Sequence, residues 1–165
     1  MASTYSFDIE SSYDKNELDH ALDQSRREIT QRYDFKGTAA AIDYTDQNRT
    51  SLTVEGDNEY QLDAIVTMLR TKLAKRGVDQ KVLDLGDPEI SGMITKQILT
   101  LKNGMSSDAA KQVSKDIREI APKAKPQIQG EIVRVTSPKK DELQMIMQKL
   151  KENDYEFPLQ FVNFK

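Results

Sequence analysis

Tyr5, Phe7 and Ile9 alternate with Ser6, Asp8 and Glu10, a period of two that predicts a half-buried strand with the apolar set facing the core. Asp14 stands three residues before Glu17, the spacing of a capping box. The stripe that follows, Leu18, Ala21, Leu22, Ser25 and Ile29, has the period of an amphipathic helix. Residues 39–45 and 50–55 predict a hairpin turning at Asp46-Gln47-Asn48. Asp57 is placed to cap a second helix, whose stripe is Leu62, Ile65, Val66, Leu69 and Leu73 and which Gly77 ends. Residues 82–85 predict a short strand, and Gly86-Asp87-Pro88 marks a boundary. A strand over 92–102 and a helix over 107–121, stopped near Pro122, come next. A hairpin over 124–129 and 131–136 turns at Gly130. Ser137 reads as an N-cap and Pro138 as the first residue of a fourth helix with Leu143, Ile146, Met147 and Leu150 inward. Residues 159–164 predict a last strand.

The pattern occurs twice. Leu52, Val54, Leu62, Ile65, Val66 and Leu69 align with Val133, Val135, Leu143, Ile146, Met147 and Leu150 at a constant spacing of 81. Ala21, Leu22, Ser25 and Ile29 align with Ala109, Ala110, Val113 and Ile117 at a spacing of 88. The difference implies a longer connection in the first copy, around Thr45 to Thr50. Two copies of a βαββαβ unit predict an α+β fold of ferredoxin-like type, antiparallel sheets with helices on one face and the other face open.

Composition narrows the chemistry. The chain has 165 residues, 37% hydrophobic and 31% charged, with no cysteine and one histidine. Disulfides and thiol chemistry are excluded. His20 lies off the apolar stripe and has no second histidine with which to share a metal. The start, Met1-Ala2-Ser3-Thr4, carries no leader pattern, and no apolar run approaches the ~20 residues that span a bilayer, so a cytosolic protein is expected. Residues 1–86 hold 11 basic and 16 acidic side chains, and residues 87–165 hold 13 and 11. A phosphate-bearing ligand is therefore expected to prefer the second half. The carboxylates form no recognisable acid/base pair, and there is no glycine-rich phosphate loop or nucleophile elbow. Catalytic residues, a metal and a cofactor are not expected.

Several motifs resemble one known family: Arg32-Tyr33-Asp34-Phe35-Lys36-Gly37, Lys75-Arg76-Gly77-Val78, Lys102-Asn103-Gly104-Met105, Gln127 to Val135, Lys139-Lys140-Asp141-Glu142-Leu143-Gln144 and Pro158 to Lys165. In this order they resemble the YajQ family of bacterial nucleotide-binding proteins over nearly the whole chain. The chain departs from that family's pattern at Ser137-Pro138, where a glycine and another small or basic residue commonly precede the basic pair. The resemblance implies two ferredoxin-like domains that exchange their first strands: one over 11–104, including strand 92–101, and one made of 1–10 with 105–165. It implies binding of nucleotides or RNA, and in some members of cyclic di-GMP, without an established catalytic activity.

Three places are candidates for ligand contact. In the first motif, Arg32 and Lys36 are suited to phosphate while Phe35 or Tyr33 stacks on a base; the alternative is that the aromatics plug the core and Arg32 pairs with Asp34. On the second hairpin, Arg134 and Thr136 point to the open face, joined by Gln127 and Gln129, whose amides suit base edges; the alternative is a solvated sheet. At the start of the fourth helix, Ser137, Lys139 and Lys140 suit an anion, or are simply solvated beside Asp141 and Glu142, with Lys123 and Lys125 close by on the adjacent hairpin. The function expected is a non-catalytic sensor or adaptor binding a nucleotide, cyclic dinucleotide or RNA. The alternative is a protein-interaction scaffold that meets a protein partner through its open sheet.

Overall fold

The computed structural model of the protein describes residues 4–165; Met1–Ser3, part of the start that reads as leaderless, lie outside them. The elements are β1 (Tyr5–Glu10), α1 (Lys15–Gln31), β2 (Ala41–Tyr44), β3 (Ser51–Gly56), α2 (Glu59–Lys75), β4 (Leu83–Leu85), β5 (Glu89–Ser91), β6 (Ile94–Leu101), α3 (Ser107–Ile120), β7 (Lys125–Gln129), β8 (Ile132–Ser137), α4 (Lys140–Glu152) and β9 (Gln160–Val162). Among the described residues this is a mixed α/β architecture with four α-helices and two antiparallel sheets.

The helix boundaries have local causes. The Asp14 carboxylate accepts the free N–H groups of Asn16 and Glu17 and starts α1. At α2 that role falls to Asn58, whose side chain accepts Gln61 N–H at 3.0 Å, rather than to Asp57. Asp57 instead accepts Ala39 N–H at 2.9 Å, tying the start of the helix to the entry of β2. The last turn of α2 closes when Val78 N–H bonds Leu73 C=O and Gly77 N–H bonds Ala74 C=O. This closure puts Gly77 at φ +74°, a conformation glycine adopts without strain.

The chain divides into two compact units, one formed by Tyr13–Lys102 and the other by the segment up to Ser12 with Asn103–Lys165. In the Tyr13–Lys102 unit the strand order is β2-β3-β6-β4, with β5 paired to the start of β6. Leu52, Val54, Leu99 and Leu101 of the sheet pack with Leu18, Leu22 and Ile29 of α1 and Leu62, Ile65 and Leu69 of α2. Alternation along β3 and β6 thus puts both helices on one face. Gly86-Asp87-Pro88 joins β4 to β5 inside this unit, and the stretch expected to form one strand over 92–102 is instead the β5–β6 hairpin.

In the other unit the order is β7-β8-β1-β9. Phe7 pairs with Val135 and Ile9 with Val133 across β8, while Ile9 also faces Phe161 of β9. Phe7 and Ile9 are wholly buried in a core with Val113 and Ile117 of α3 and Leu143, Ile146 and Leu150 of α4. Each such side chain contributes about 1.5–3 kcal/mol by leaving water. The two sheets share one layout: the third place in each is held by a strand distant in sequence from the neighbouring hairpin, β6 beside β2–β3 in one and β1 beside β7–β8 in the other.

Candidate functional site

The face of the β7-β8-β1-β9 sheet opposite α3 and α4 carries every side chain that alternates with the core set. Across its middle, register places Gln127, Arg134 and Asp8 in one cross-strand row. Beside it Lys125, Thr136 and Ser6 form a second row, and Gln129 stands opposite Ile132 at the hairpin end. Gln127 and Gln129 are exposed, and the Gln129 amide donates to Gln127 Oε1 at 3.3 Å. Gly130 turns the hairpin at φ +63°, so β7 and β8 connect through two residues and stay in this register.

Arg134 is held in place from below. Its Nε donates to Asp8 Oδ1 at 2.9 Å and its Nη2 to Oδ2 at 3.3 Å. Asn163 Nδ2 donates to the same Oδ2 at 2.9 Å. Asp8 is only 2% exposed, whereas the Arg134 side chain is 41% exposed. The Arg134 guanidinium, aided by the Asn163 amide and opposed by burial, holds the Asp8 carboxyl below the usual carboxylate range. Asn163 reaches Asp8 from a left-handed backbone, φ 55°, and Lys165 and Ser6 then exchange two backbone hydrogen bonds at 3.0 Å. One edge of the guanidinium is therefore committed to Asp8, and the remaining terminal nitrogen is free to meet a ligand. The fork is oriented in advance, but its charge is largely compensated.

The helix beside this sheet starts later than Ser137 and Pro138 suggest. Ser137 is the last residue of β8, paired with Tyr5, and is 1% exposed. Because the strand holds it extended, α4 begins at Lys140 with Lys139 in the cap position, which has no side-chain cap. Ser137 still serves the turn. Its Oγ accepts Lys139 N–H at 3.1 Å and donates to Glu142 Oε1 at 2.7 Å. The Glu142 carboxylate thus already answers part of the positive end of the helix. Lys139 and Lys140 are exposed.

Arg32-Tyr33-Asp34-Phe35-Lys36 lies in the other unit, where a short 3-10 turn over Tyr33–Phe35 follows α1. Arg32 forms a two-pronged pair with Asp34 at 3.0 and 2.7 Å, and its guanidinium lies 4.6 Å from the centre of the Phe35 ring. Phe35 is 5% exposed and belongs to the core, so its ring is not offered to a base. Tyr33, 88% exposed, is the ring left facing solvent, with Lys36 Nζ 5.8 Å from its centre. Of the residues singled out by sequence, Gln127, Gln129 and Arg134 come together on one sheet face, and Ser137, Lys139 and Lys140 follow directly from β8. Arg32, Phe35 and Lys36 belong to the other unit. Asp8 and Asn163, which position Arg134, were not singled out. Asp8 carries only the signal of an outward position in an alternating strand.

Among the described residues no group of three or more histidine, cysteine or acidic side chains could hold a metal ion, and no helix is long and apolar enough to cross a membrane. His20 is exposed.

Comparison with known proteins agrees with the motifs. A sequence model of the family described as "Nucleotide-binding protein YajQ-like" matches residues 5–165. The chain is 45% identical to a nucleotide-binding protein of Synechococcus elongatus, 45% to one of Nostoc punctiforme and 44% to one of Thermosynechococcus vestitus, with all of both chains covered in each comparison. At this similarity over its full length, the chain belongs to the YajQ-like family of nucleotide-binding proteins.

Proposed function

We propose that the protein is a cytosolic, non-catalytic sensor or adaptor that binds a nucleotide, cyclic dinucleotide or RNA on the open face of the β7-β8-β1-β9 sheet. The observation that carries this is the row Gln127–Arg134–Asp8, in which a half-exposed guanidinium is oriented from beneath by a buried carboxylate. Orientation before binding removes an entropic cost of recognition. Gln127 and Gln129 supply amides for base edges, Thr136 and Lys125 extend the polar strip, and Lys139 and Lys140 add charge at the adjoining helix start. Arg32 and Lys36, beside exposed Tyr33, form a secondary contact region of the other unit. We read the fold as two ferredoxin-like domains, 11–104 and 1–10 with 105–165, that have exchanged first strands. The shared strand order of the two sheets supports this. A chain with no thiol and a single exposed histidine supports binding over turnover.

The test is a thermal-shift panel of nucleotides, cyclic dinucleotides and short RNAs, followed by calorimetric titration of whichever raises the midpoint. Gln127→Ala with Gln129→Ala is expected to weaken that ligand roughly tenfold, about 1.4 kcal/mol. Lys139→Ala with Lys140→Ala is expected to weaken it and flatten its salt dependence. Lys111→Ala with Lys115→Ala, on the exposed side of α3, is expected to change neither. Unaltered affinity in the glutamine pair, in a folded protein, overturns the site. No response to any member of the panel overturns the function and leaves the open sheet to a protein partner.

A further inference from the structure

In the Tyr13–Lys102 unit, the outer side of α2 and the turn that follows it border an open, shallow groove of about 560 Å³. Arg70 lines it. Its Nε is shut off from solvent and has no acceptor, and among the described residues its side chain makes no ion pair or hydrogen bond. Arg70 is half-buried, so an acceptor entering the groove meets the terminal nitrogens of this unpartnered guanidinium rather than its buried Nε.

The other groups of the groove define what that acceptor belongs to. The Thr67 hydroxyl and the Gln80 carboxamide line the same space and can donate. The Thr71 hydroxyl already donates to Thr67 C=O at 3.0 Å and offers only lone pairs. Asp79, which lines the groove, uses Oδ1 to accept Lys81 N–H at 2.9 Å and keeps its second oxygen as an acceptor. Asp79 and the carbonyl end of α2 make that side unfavourable for a bare anion. A ligand with an anionic group at one end and hydroxyl donors at the other satisfies both sides. Ala74 and Val78 supply apolar wall between them.

From this pairing of an unpartnered guanidinium with a carboxylate that keeps one oxygen unused, we infer that the groove binds a phosphorylated sugar, free or as part of a nucleotide, with its phosphoryl group on Arg70 and its hydroxyls on Asp79. The site is in a different unit from the sheet-face site and does not depend on it.

The experiment titrates the isotope-labelled full chain with ribose 5-phosphate, adenosine monophosphate, adenosine and inorganic phosphate at constant ionic strength, following backbone amides. Saturable shifts at residues 67–80 are expected with at least one of the two phosphate esters. If only adenosine monophosphate produces them, the nucleotide is the form recognised. Arg70→Gln is expected to weaken ester binding at least tenfold, with Arg70→Lys in between. Asp79→Asn is expected to weaken the esters while strengthening inorganic phosphate. Absence of ester-induced shifts at 67–80, or equal affinity in Arg70→Gln, overturns the inference. Strengthening of every ligand alike in Asp79→Asn overturns the assignment of hydroxyls to that carboxylate. The sheet-face site is read separately, from amides 125–142, so either can fail alone.

Discussion

Asp8 shows how much one residue depends on partners far away in the chain. It keeps a charge at 2% exposure because Arg134, 126 residues later, and Asn163 bond both its oxygens. Its folded pKa lies below the unfolded value of about 3.9. The network therefore stabilises the fold above that pH, and the stabilisation is lost as pH falls through the folded pKa. Asp8→Asn is expected to lower stability at pH 7 and to flatten its decline on acidification below about pH 4. Urea unfolding at a series of pH values measures both; an unchanged acid slope would remove Asp8 from the account. Periodicity told which way Asp8 points, but the register between strands this distant is set by tertiary packing. Phe35 was ambiguous for a related reason. An aromatic at a helix exit can face core or solvent, and only the 3-10 turn after α1 decides that Phe35 goes in and Tyr33 stays out.

Helices were the most legible elements. The stripe Leu18, Ala21, Leu22, Ser25 and Ile29 is the buried set of α1, and Gly77 follows α2 in the left-handed conformation. Gly77→Ala has no steric neighbour within 4 Å, so its cost is that of the backbone alone, about 1–2 kcal/mol. Chemical denaturation should report that loss with an unchanged slope; a neutral substitution would mean the last turn of α2 relaxes without it. Where legibility failed, a strand was short or competed with a helix. β5 spans three residues between Pro88 and Gly92, and its Ile90 is 83% exposed, so no alternation signals it. Ser137 and Pro138 carry a sound helix-start signal, yet pairing of Ser137 with Tyr5 keeps that residue in β8 and moves the first turn of α4 to Lys140.

At the scale of the molecule, each sheet sets beside its hairpin an interior strand from a distant part of the chain, β6 beside β2–β3 and β1 beside β7–β8. Apolar matches at spacings of 81 and 88 are visible in the sequence. Which sheet each strand joins is a non-local choice that periodicity does not encode. The topology makes a sharp prediction about fragments. Residues 1–86 lack β6, which separates β3 from β4, and residues 87–165 lack β1, which separates β8 from β9. Neither fragment should fold, whereas residues 13–102, a continuous stretch with its own core, should unfold cooperatively in circular dichroism. Cooperative unfolding of either half, or a disordered 13–102, would contradict it.

The placement of β1 also orders events during synthesis. β1 is made first, yet both strands that flank it, β8 and β9, are made last. At about 5–20 residues per second, the ribosome leaves this segment without its partners for roughly six to thirty seconds, while residues 13–102 emerge and can close their own sheet. An apolar strand exposed that long invites pairing with other nascent chains. Asp8 and Glu10, interleaved with Phe7 and Ile9, put charge on the waiting strand and discourage such pairing. The carboxylate that later orients Arg134 would thus first serve as a guard against aggregation.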